Sequence, residues 1–120
     1  EIEDCGATSF NHDDDYPDFI AKAAKKVSND QDSKAIIFGK SGAGECIVAN
    51  KIKGIRAVLG VSEQNVRLAR EHNDANVLSL GSEMVEEGNA KQLVELFIST
   101  PFPNEERHKR RIEKIKAIEN

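Results

Sequence analysis

The sequence predicts a single α/β domain over residues 1–120, in which a parallel sheet lies between helical layers in a Rossmann-like, three-layer α/β/α arrangement. Three short apolar runs have the length of buried strands, and each ends at or just before a glycine. A helical pattern follows each run, and strands that alternate with helices are typical of parallel βαβ units. The runs are residues 35–38, 55–59 and 76–80, closed by Gly39, Gly60 and Gly81.

In chain order, the first element is a fourth candidate strand at residues 1–5, which Gly6 would close. Residues 17–27 predict a helix, because a proline suits the first helical turn and the apolar residues behind it fall on one face. Residues 44–51 predict a short helix that leads out of a glycine-rich turn.

Three further helices are predicted towards the C-terminus. The first covers residues 63–72 and the second residues 90–98, with Ser62 and Asn89 as their candidate N-caps. The third begins at Asn104 and runs to about residue 117. Pro101 and Pro103 separate the last two helices, since proline interrupts a helix.

Composition excludes several classes of function. Hydrophobic residues make up 38% of the chain and charged residues 32%, with a formal net charge of -4, which argues against bulk binding to nucleic acid. The longest apolar runs are far shorter than the ~20 residues that a membrane-spanning helix needs. Cys5 and Cys46 are distant in sequence and fit neither a disulfide framework nor a zinc site, so we expect a reducing, cytoplasmic environment.

The segment at residues 39–45, here called the glycine turn, is the first candidate for chemistry. Gly39, Gly42 and Gly44 follow a predicted buried strand and precede a helix. Backbone N–H groups in such a turn can point at a bound anion, aided by the positive end of the helix. The alternative is a plain glycine-rich connection. The segment matches neither a Walker A motif nor a full GxGxxG motif.

Glu45 adds a carboxylate to this turn. A base beside N–H groups that hold an oxyanion is the pair needed to remove a proton from the carbon next to a carbonyl, because an enediolate must be stabilised as it forms. The alternative is a carboxylate that only complements the helix dipole.

Two other groups of polar residues have a functional and a structural interpretation. His72 and Asn73 form a corner able to handle hydroxyl groups, although a histidine near a helix C-terminus also suits the dipole. Arg107 and Arg111 share a helix face and could converge on one phosphate, or belong to a solvated basic face. Nucleic acid fits this face poorly, since no aromatic residues interleave with it.

Together these segments resemble the type B ribose-5-phosphate isomerase family, which includes galactose-6-phosphate isomerase subunits. The matching stretches are residues 15–18 (DYPD), 41–45 (SGAGE), 49–51 (ANK), 54–57 (GIRA), 70–76 (REHNDAN) and 107–111 (RHKRR). The resemblance implies aldose–ketose isomerisation of a phosphorylated sugar without a metal or organic cofactor.

The family uses either a cysteine at the end of the strand before the glycine turn or a glutamate at the start of the following helix as its base. Counted back from residues 49–51, the cysteine position falls on Gly39 and the glutamate position on Glu45. The resemblance therefore implies Glu45 as the base. Cys46 is out of register for the cysteine role and is interpreted as a packing residue.

The resemblance implies further roles, residue by residue. The backbone of Ser41, Gly42, Ala43 and Gly44 would hold the enediolate, and the Ser41 hydroxyl would contact substrate oxygens. The remaining roles are ring opening by His72, a hydroxyl contact from Asn73, phosphate binding by Arg107 and Arg111 with His108 nearby, and a pocket wall from Tyr16. Family members are homodimers whose sites combine residues of both subunits; association beyond the dimer stays open.

The chain departs from the family in two places. No segment matches the family's first strand and helix, which carry an Asp–His pair, so we expect the N-terminus to be truncated. Glu83 stands where the family often has a phosphate-binding arginine. Three functions therefore stay open: isomerisation of ribose 5-phosphate, isomerisation of a six-carbon sugar phosphate such as galactose or allose 6-phosphate, and a non-catalytic sugar-phosphate-binding paralogue.

Overall fold

The structure is a computed structural model that describes residues 1–119. It contains eight regular elements, which in chain order are α1 (Tyr16–Ser28), β1 (Ala35–Gly39), α2 (Ala43–Asn50), β2 (Ala57–Leu59), α3 (Glu63–Asn73), β3 (Val77–Gly81), α4 (Glu87–Ser99) and α5 (Glu106–Ile118). No helix in the described residues is long and apolar enough to cross a membrane.

The three strands form one parallel sheet in the order β1-β3-β2. β3 is central, and all five of its residues are buried, as expected for a strand covered on both faces. In the register of β1 and β3, Ala35 lies opposite Val77 and Gly39 opposite Gly81. The two glycines that end these strands therefore lie side by side at the carboxyl edge of the sheet.

Helices cover both faces of the sheet, which confirms the predicted α/β/α fold. On one face, α1 and α2 bury Ile20, Ala24, Val27 and Ala49 against the sheet residues Ile37, Ala57 and Val77. On the other, α3 and α4 bury Val66, Ala69, Leu93 and Phe97 against Leu78 and Leu80. Cys46 packs at the edge of the first cluster, in agreement with its interpretation as a packing residue.

The α3 N-terminus is confirmed in detail. The Ser62 hydroxyl accepts a hydrogen bond from the Asn65 N–H at 3.1 Å, and the Asn65 side chain accepts one from the Ser62 N–H at 3.0 Å. This reciprocal pair satisfies donors that the first turn of a helix leaves free. It fixes where the chain turns from the carboxyl edge of the sheet into α3.

The predicted strand at residues 1–5 is wrong. The segment is irregular, and its backbone forms no hydrogen bonds with another strand in the described residues. Glu3 instead forms an ion pair with Lys26 on α1. Ile2 and Cys5 are its only apolar residues, and Ile2 is fully solvent-exposed, so the segment has little surface to bury.

Two predicted helix starts are also displaced. Asn89 is not a cap, because α4 already begins at Glu87 behind an extended Glu86, in an acidic stretch that suits the positive end of a helix. Asn104 does not open α5, since its φ of 64° is left-handed and incompatible with a right-handed helix. α5 begins at Glu106 instead.

The second strand starts later than predicted. Ile55 and Arg56 lie outside the ladder, and β2 begins at Ala57. The Arg56 N–H donates to the Asn76 side-chain oxygen at 2.7 Å, and the Arg56 carbonyl accepts from the Asn76 N–H at 3.0 Å, so an amide side chain supplies one of the two acceptors that a regular ladder would take from the backbone.

Candidate active site

The glycine turn connects β1 to α2 at the carboxyl edge of the sheet. Gly42 has a left-handed φ of 81°, a conformation that residues with a Cβ atom rarely adopt. The buried Ser79 hydroxyl of β3 donates to the Gly42 carbonyl oxygen at 2.7 Å and anchors the turn to the centre of the sheet. Sequence reasoning missed Ser79, although a lone hydroxyl in an apolar strand was a usable signal.

The turn leaves several backbone donors free. The Ala43 N–H donates to the Ser41 hydroxyl at 3.2 Å. Within residues 1–119, the N–H groups of Gly42, Gly44 and Glu45 have no acceptor. Free N–H groups at a helix N-terminus suit an anion, because the helix dipole adds positive potential there.

Glu45 lies in the first turn of α2 and is 8% exposed. Its carboxyl group reaches back to Gly39, where an added Cβ atom would collide with both carboxylate oxygens. No hydrogen bond or ion pair in the described part of the chain occupies this carboxyl group. Glu45 is therefore an enclosed, unpartnered carboxyl beside unpartnered N–H groups, an arrangement that can exchange a proton with a bound molecule.

Tyr16 reaches the same turn from the start of α1. A Cβ atom at Gly44 would collide with the Tyr16 hydroxyl, so the phenol lies directly against the first turn of α2. Its side chain is 48% exposed, and it therefore lines the rim of the turn.

The loop after β3 is fastened to the glycine turn. The Ser82 N–H donates to the Gly39 carbonyl at 2.8 Å, and the Glu83 N–H donates to the Lys40 carbonyl at 2.9 Å. The Glu83 carboxylate lies 3.4 Å from the Lys40 ammonium, and both side chains are well exposed. Glu83 thus has a cationic partner at the rim, a pairing that the sequence did not reveal.

His72 and His108 form a second cluster. His72 lies in the last turn of α3 and His108 in the first turn of α5, with their rings stacked at 4.3 Å between centroids and an interplanar angle of 10°. His108 is 5% exposed, and its Nε2 atom has no hydrogen-bond partner in the described residues. Burial lowers the pKa of His108, and the nearby His72 and Arg107 lower it further.

Three exposed polar residues surround this cluster. Asn73 ends α3, and Arg107 and Arg111 lie on α5 on either side of His108 along the chain. Neither arginine forms an ion pair within residues 1–119. Their charges are therefore available to an anion.

Arg70 supports this corner, and sequence reasoning did not assign it a role. Its buried guanidinium donates to the Ala75 carbonyl at 2.7 Å and to the Thr100 carbonyl at 2.9 Å. It also pairs with the Asp74 carboxylate at 2.8 Å. These bonds hold the end of α3 against the start of β3 and the end of α4.

The predicted site residues therefore fall into two groups. The turn group consists of Tyr16, Ser41, Gly42, Ala43, Gly44 and Glu45. The histidine group consists of His72, Asn73, Arg107, His108 and Arg111.

The two groups lie at opposite edges of the sheet. The turn group is at the carboxyl edge, where Gly39 pairs with Gly81. α3 runs back along the sheet and ends before β3 starts at Val77, so His72 is at the amino edge. A five-residue strand spans about 13 Å, which separates His72 from Glu45 within one chain.

The described residues contain no group of three or more His, Cys, Asp or Glu side chains arranged to hold a metal ion. The turn group and the histidine group together present a carboxyl, a pair of histidines, backbone donors and guanidinium groups.

Comparison with known proteins gives consistent matches along the chain. The model of the Ribose/Galactose Isomerase family matches residues 1–115. Ribose-5-phosphate isomerase B of Mycolicibacterium paratuberculosis is 43% identical over 116 residues, covering 97% of this chain and 73% of the relative. A protein of Mycoplasma genitalium that bears the name "Probable ribose-5-phosphate isomerase B" is 43% identical over 116 residues, covering 95% of this chain and 75% of the relative.

Solved structures of similar proteins share the fold. Ribose-5-phosphate isomerase B from Mycoplasma genitalium with bound ribulose-5-phosphate has a TM-score of 0.89 at 42% identity, covering 95% of this chain and 75% of that chain. Type B ribose 5-phosphate isomerase from Trypanosoma cruzi has a TM-score of 0.91 at 38% identity, covering 96% of this chain and 74% of that chain.

Proposed function

The chain belongs to the ribose/galactose isomerase family, and we propose that it interconverts ribose 5-phosphate and ribulose 5-phosphate, with Glu45 as the base. The names of the mycobacterial and Mycoplasma relatives and the ribulose-5-phosphate bound in one of them support the substrate. The observation that carries the proposal is the enclosed, unpartnered Glu45 carboxyl beside the free N–H groups of the glycine turn.

The proposed reaction is a proton transfer between neighbouring carbons. Glu45 removes the proton from C2 of the open-chain aldose, and the electrons of that C–H bond form the enediolate double bond as negative charge moves to the C1 oxygen. The free N–H groups of Gly42 and Gly44, with the Ser41 hydroxyl, stabilise this charge. Glu45 then returns the proton to C1, and the proton of the C2 hydroxyl moves to the C1 oxygen. The product is the ketose.

Gly39 supports the assignment of the base. In the subgroup that uses cysteine, the thiol would start from this position. Here the volume beside the Gly39 Cα is filled by the Glu45 carboxyl group. The thiol of a cysteine at residue 39 and the carboxyl of a glutamate at residue 45 would therefore occupy the same place beside the free N–H groups.

We further propose that the histidine group completes the site from a second copy of the chain, in a homodimer with two shared sites. The separation of the two groups across the sheet supports this arrangement, because the turn group has no phosphate-binding arginine and the histidine group has no carboxyl to act at carbon. In the dimer, His72 assists ring opening, Asn73 holds a hydroxyl, and Arg107 and Arg111 bind the phosphate, with His108 nearby. Tyr16 lines the same pocket, and the two free cysteines support a cytoplasmic location.

The base assignment is tested by exchange of solvent deuterium. We expect the protein to introduce deuterium from D₂O into ribulose 5-phosphate, and Glu45→Gln to lower this exchange at least about 10²-fold, because the amide cannot accept the proton. Glu63→Gln is the matched control, since Glu63 occupies the first turn of α3 but is exposed. Full exchange by Glu45→Gln would refute the assignment.

The substrate is tested separately. We expect turnover of ribose 5-phosphate to exceed that of galactose 6-phosphate and allose 6-phosphate under the same conditions. Faster turnover of either six-carbon substrate would reassign the substrate while leaving the proton transfer intact. Absence of turnover with all three would favour a non-catalytic binding protein.

A further inference from the structure

The stacked pair of His72 and His108 has a geometry that direct substrate contact does not require. Two nearly parallel rings at 4.3 Å are in van der Waals contact over their faces. The ring of His108 is buried, and its Nε2 atom has no partner in the described residues. The His108 ring is held where α5 packs against α3. It therefore forms a rigid surface against which the His72 ring lies.

Charge distribution distinguishes the two rings. The charged and titratable groups that act on His108 are His72 from α3 and Glu105, Arg107 and Arg111 from α5. All except Glu105 oppose a positive charge on His108, and burial removes the water that would stabilise one. Two protonated rings stacked face to face would also repel each other strongly. Burial and these neighbours therefore lower the pKa of His108 and favour its neutral ring.

We propose that His108 is a positioning residue for His72: its buried ring, stacked face to face on the His72 imidazole, fixes the plane of that imidazole. This inference rests on the proposed function, in which His72 moves a proton during ring opening. An acid or base that acts on the single ring oxygen of the closed sugar works faster when its orientation is fixed. A small misplacement of a catalytic group can lower a rate about 10²-fold.

Sugar chemistry separates this role from the proton transfer at carbon. Ribose 5-phosphate is mostly a closed ring and must open before Glu45 can act. Ribulose 5-phosphate cannot close a five-membered ring, because its C5 oxygen carries the phosphate. Deuterium exchange into ribulose 5-phosphate therefore requires Glu45 but no ring opening, whereas turnover of ribose 5-phosphate requires both.

The experiment compares these two saturated rates in the wild type, His108→Ala and His108→Phe. Loss of a phosphate contact lowers both rates in both variants. We expect the ratio of turnover to exchange to fall at least about tenfold further in His108→Ala, which removes the flat ring, and to stay near the wild-type ratio in His108→Phe, which keeps it. An unchanged ratio in His108→Ala, or an equal fall in His108→Phe, would overturn the proposal.

Histidine titration by NMR tests the interaction between His72 and His108 independently of activity. We expect the pKa of His108 to lie below the ordinary value for histidine because its ring is buried, and His72→Asn to raise that pKa because the electrostatic interaction with His72 is removed. An unchanged His108 titration in His72→Asn would refute the coupling. A wild-type protein that shows no deuterium exchange would instead refute the proposed function, and the titration would still decide whether the rings are coupled.

Discussion

Complementation between two inactive variants tests the shared site most directly. Glu45→Gln removes the proposed base from the turn group, and His72→Asn removes the proposed ring-opening residue from the histidine group. In a symmetric dimer with shared sites, each site takes one group from each subunit. A mixed dimer therefore has one site that contains both defects and one site that contains neither.

The activity expected of the mixture follows from the fraction of sites that are intact. When the two variants associate at random in equal amounts, about half of the dimers are mixed, and one of the two sites in each is intact, which gives about one quarter of the wild-type rate. Each variant alone should be at least about 10²-fold slower than the wild type, because each lacks an acid–base group. The recovered activity would thus stand far above the background.

The assay measures ketose formation from ribose 5-phosphate after the two variants are refolded together, with different affinity tags that allow mixed dimers to be isolated. A mixture of Glu45→Gln and Glu45→Ala is the matched control, since no mixed dimer of these two contains a base. Mixed dimers of Glu45→Gln and His72→Asn with no more activity than this control would show that the two groups do not meet across subunits. Such a result would refute the inference drawn from their separation across the sheet.

Three further predictions address the base, the stability of the histidine corner and its response to pH. Gly39→Ala should lower turnover at least about tenfold without unfolding the protein, since its Cβ atom would displace the Glu45 carboxyl; unchanged kinetics would contradict the packing. Arg70→Met should lower the free energy of unfolding by about 1–3 kcal/mol in urea titration, because the buried Ala75 carbonyl loses its donor; an unaltered unfolding midpoint would contradict that role. The free energy of unfolding should fall as the pH drops below about 6.5, because the unfolded chain protonates His108 more readily than the folded one. His108→Phe should reduce this fall. An identical pH dependence in the variant would argue against burial of a neutral ring.

Much of the fold was predictable because its signals are local. The apolar runs that became β1 and β3 are short, end at glycines and are followed by helix-forming sequence, and each feature acts within a few residues. The Ser62 cap is likewise a contact between near neighbours in the chain. By contrast, Asn104 is a plausible cap by residue type, and only its left-handed φ excludes it from α5.

The site was only partly predictable, because its arrangement depends on contacts between distant segments. The free N–H groups could be inferred from the glycine turn alone. The stacking of His72 on His108 depends on how α5 returns to the end of α3, which no local pattern specifies. The separation of the turn group from the histidine group depends on the direction of α3 relative to the strands, and it is the basis for proposing a shared site.

Two hydrogen bonds of Asn50 link residues 49–51 to the position of the Glu45 carboxyl group. Asn50 accepts a hydrogen bond from the Ala57 N–H at 2.8 Å and donates one to the Ala57 carbonyl at 3.0 Å. These two bonds fasten the end of α2 to the start of β2, so the helical rise from Asn50 to Glu45 determines where the carboxyl group points. It points at the Gly39 Cα, where a side chain would occupy the same volume. Glycine at residue 39 and glutamate at residue 45 therefore depend on each other. A cysteine base at residue 39 would require a smaller residue at 45.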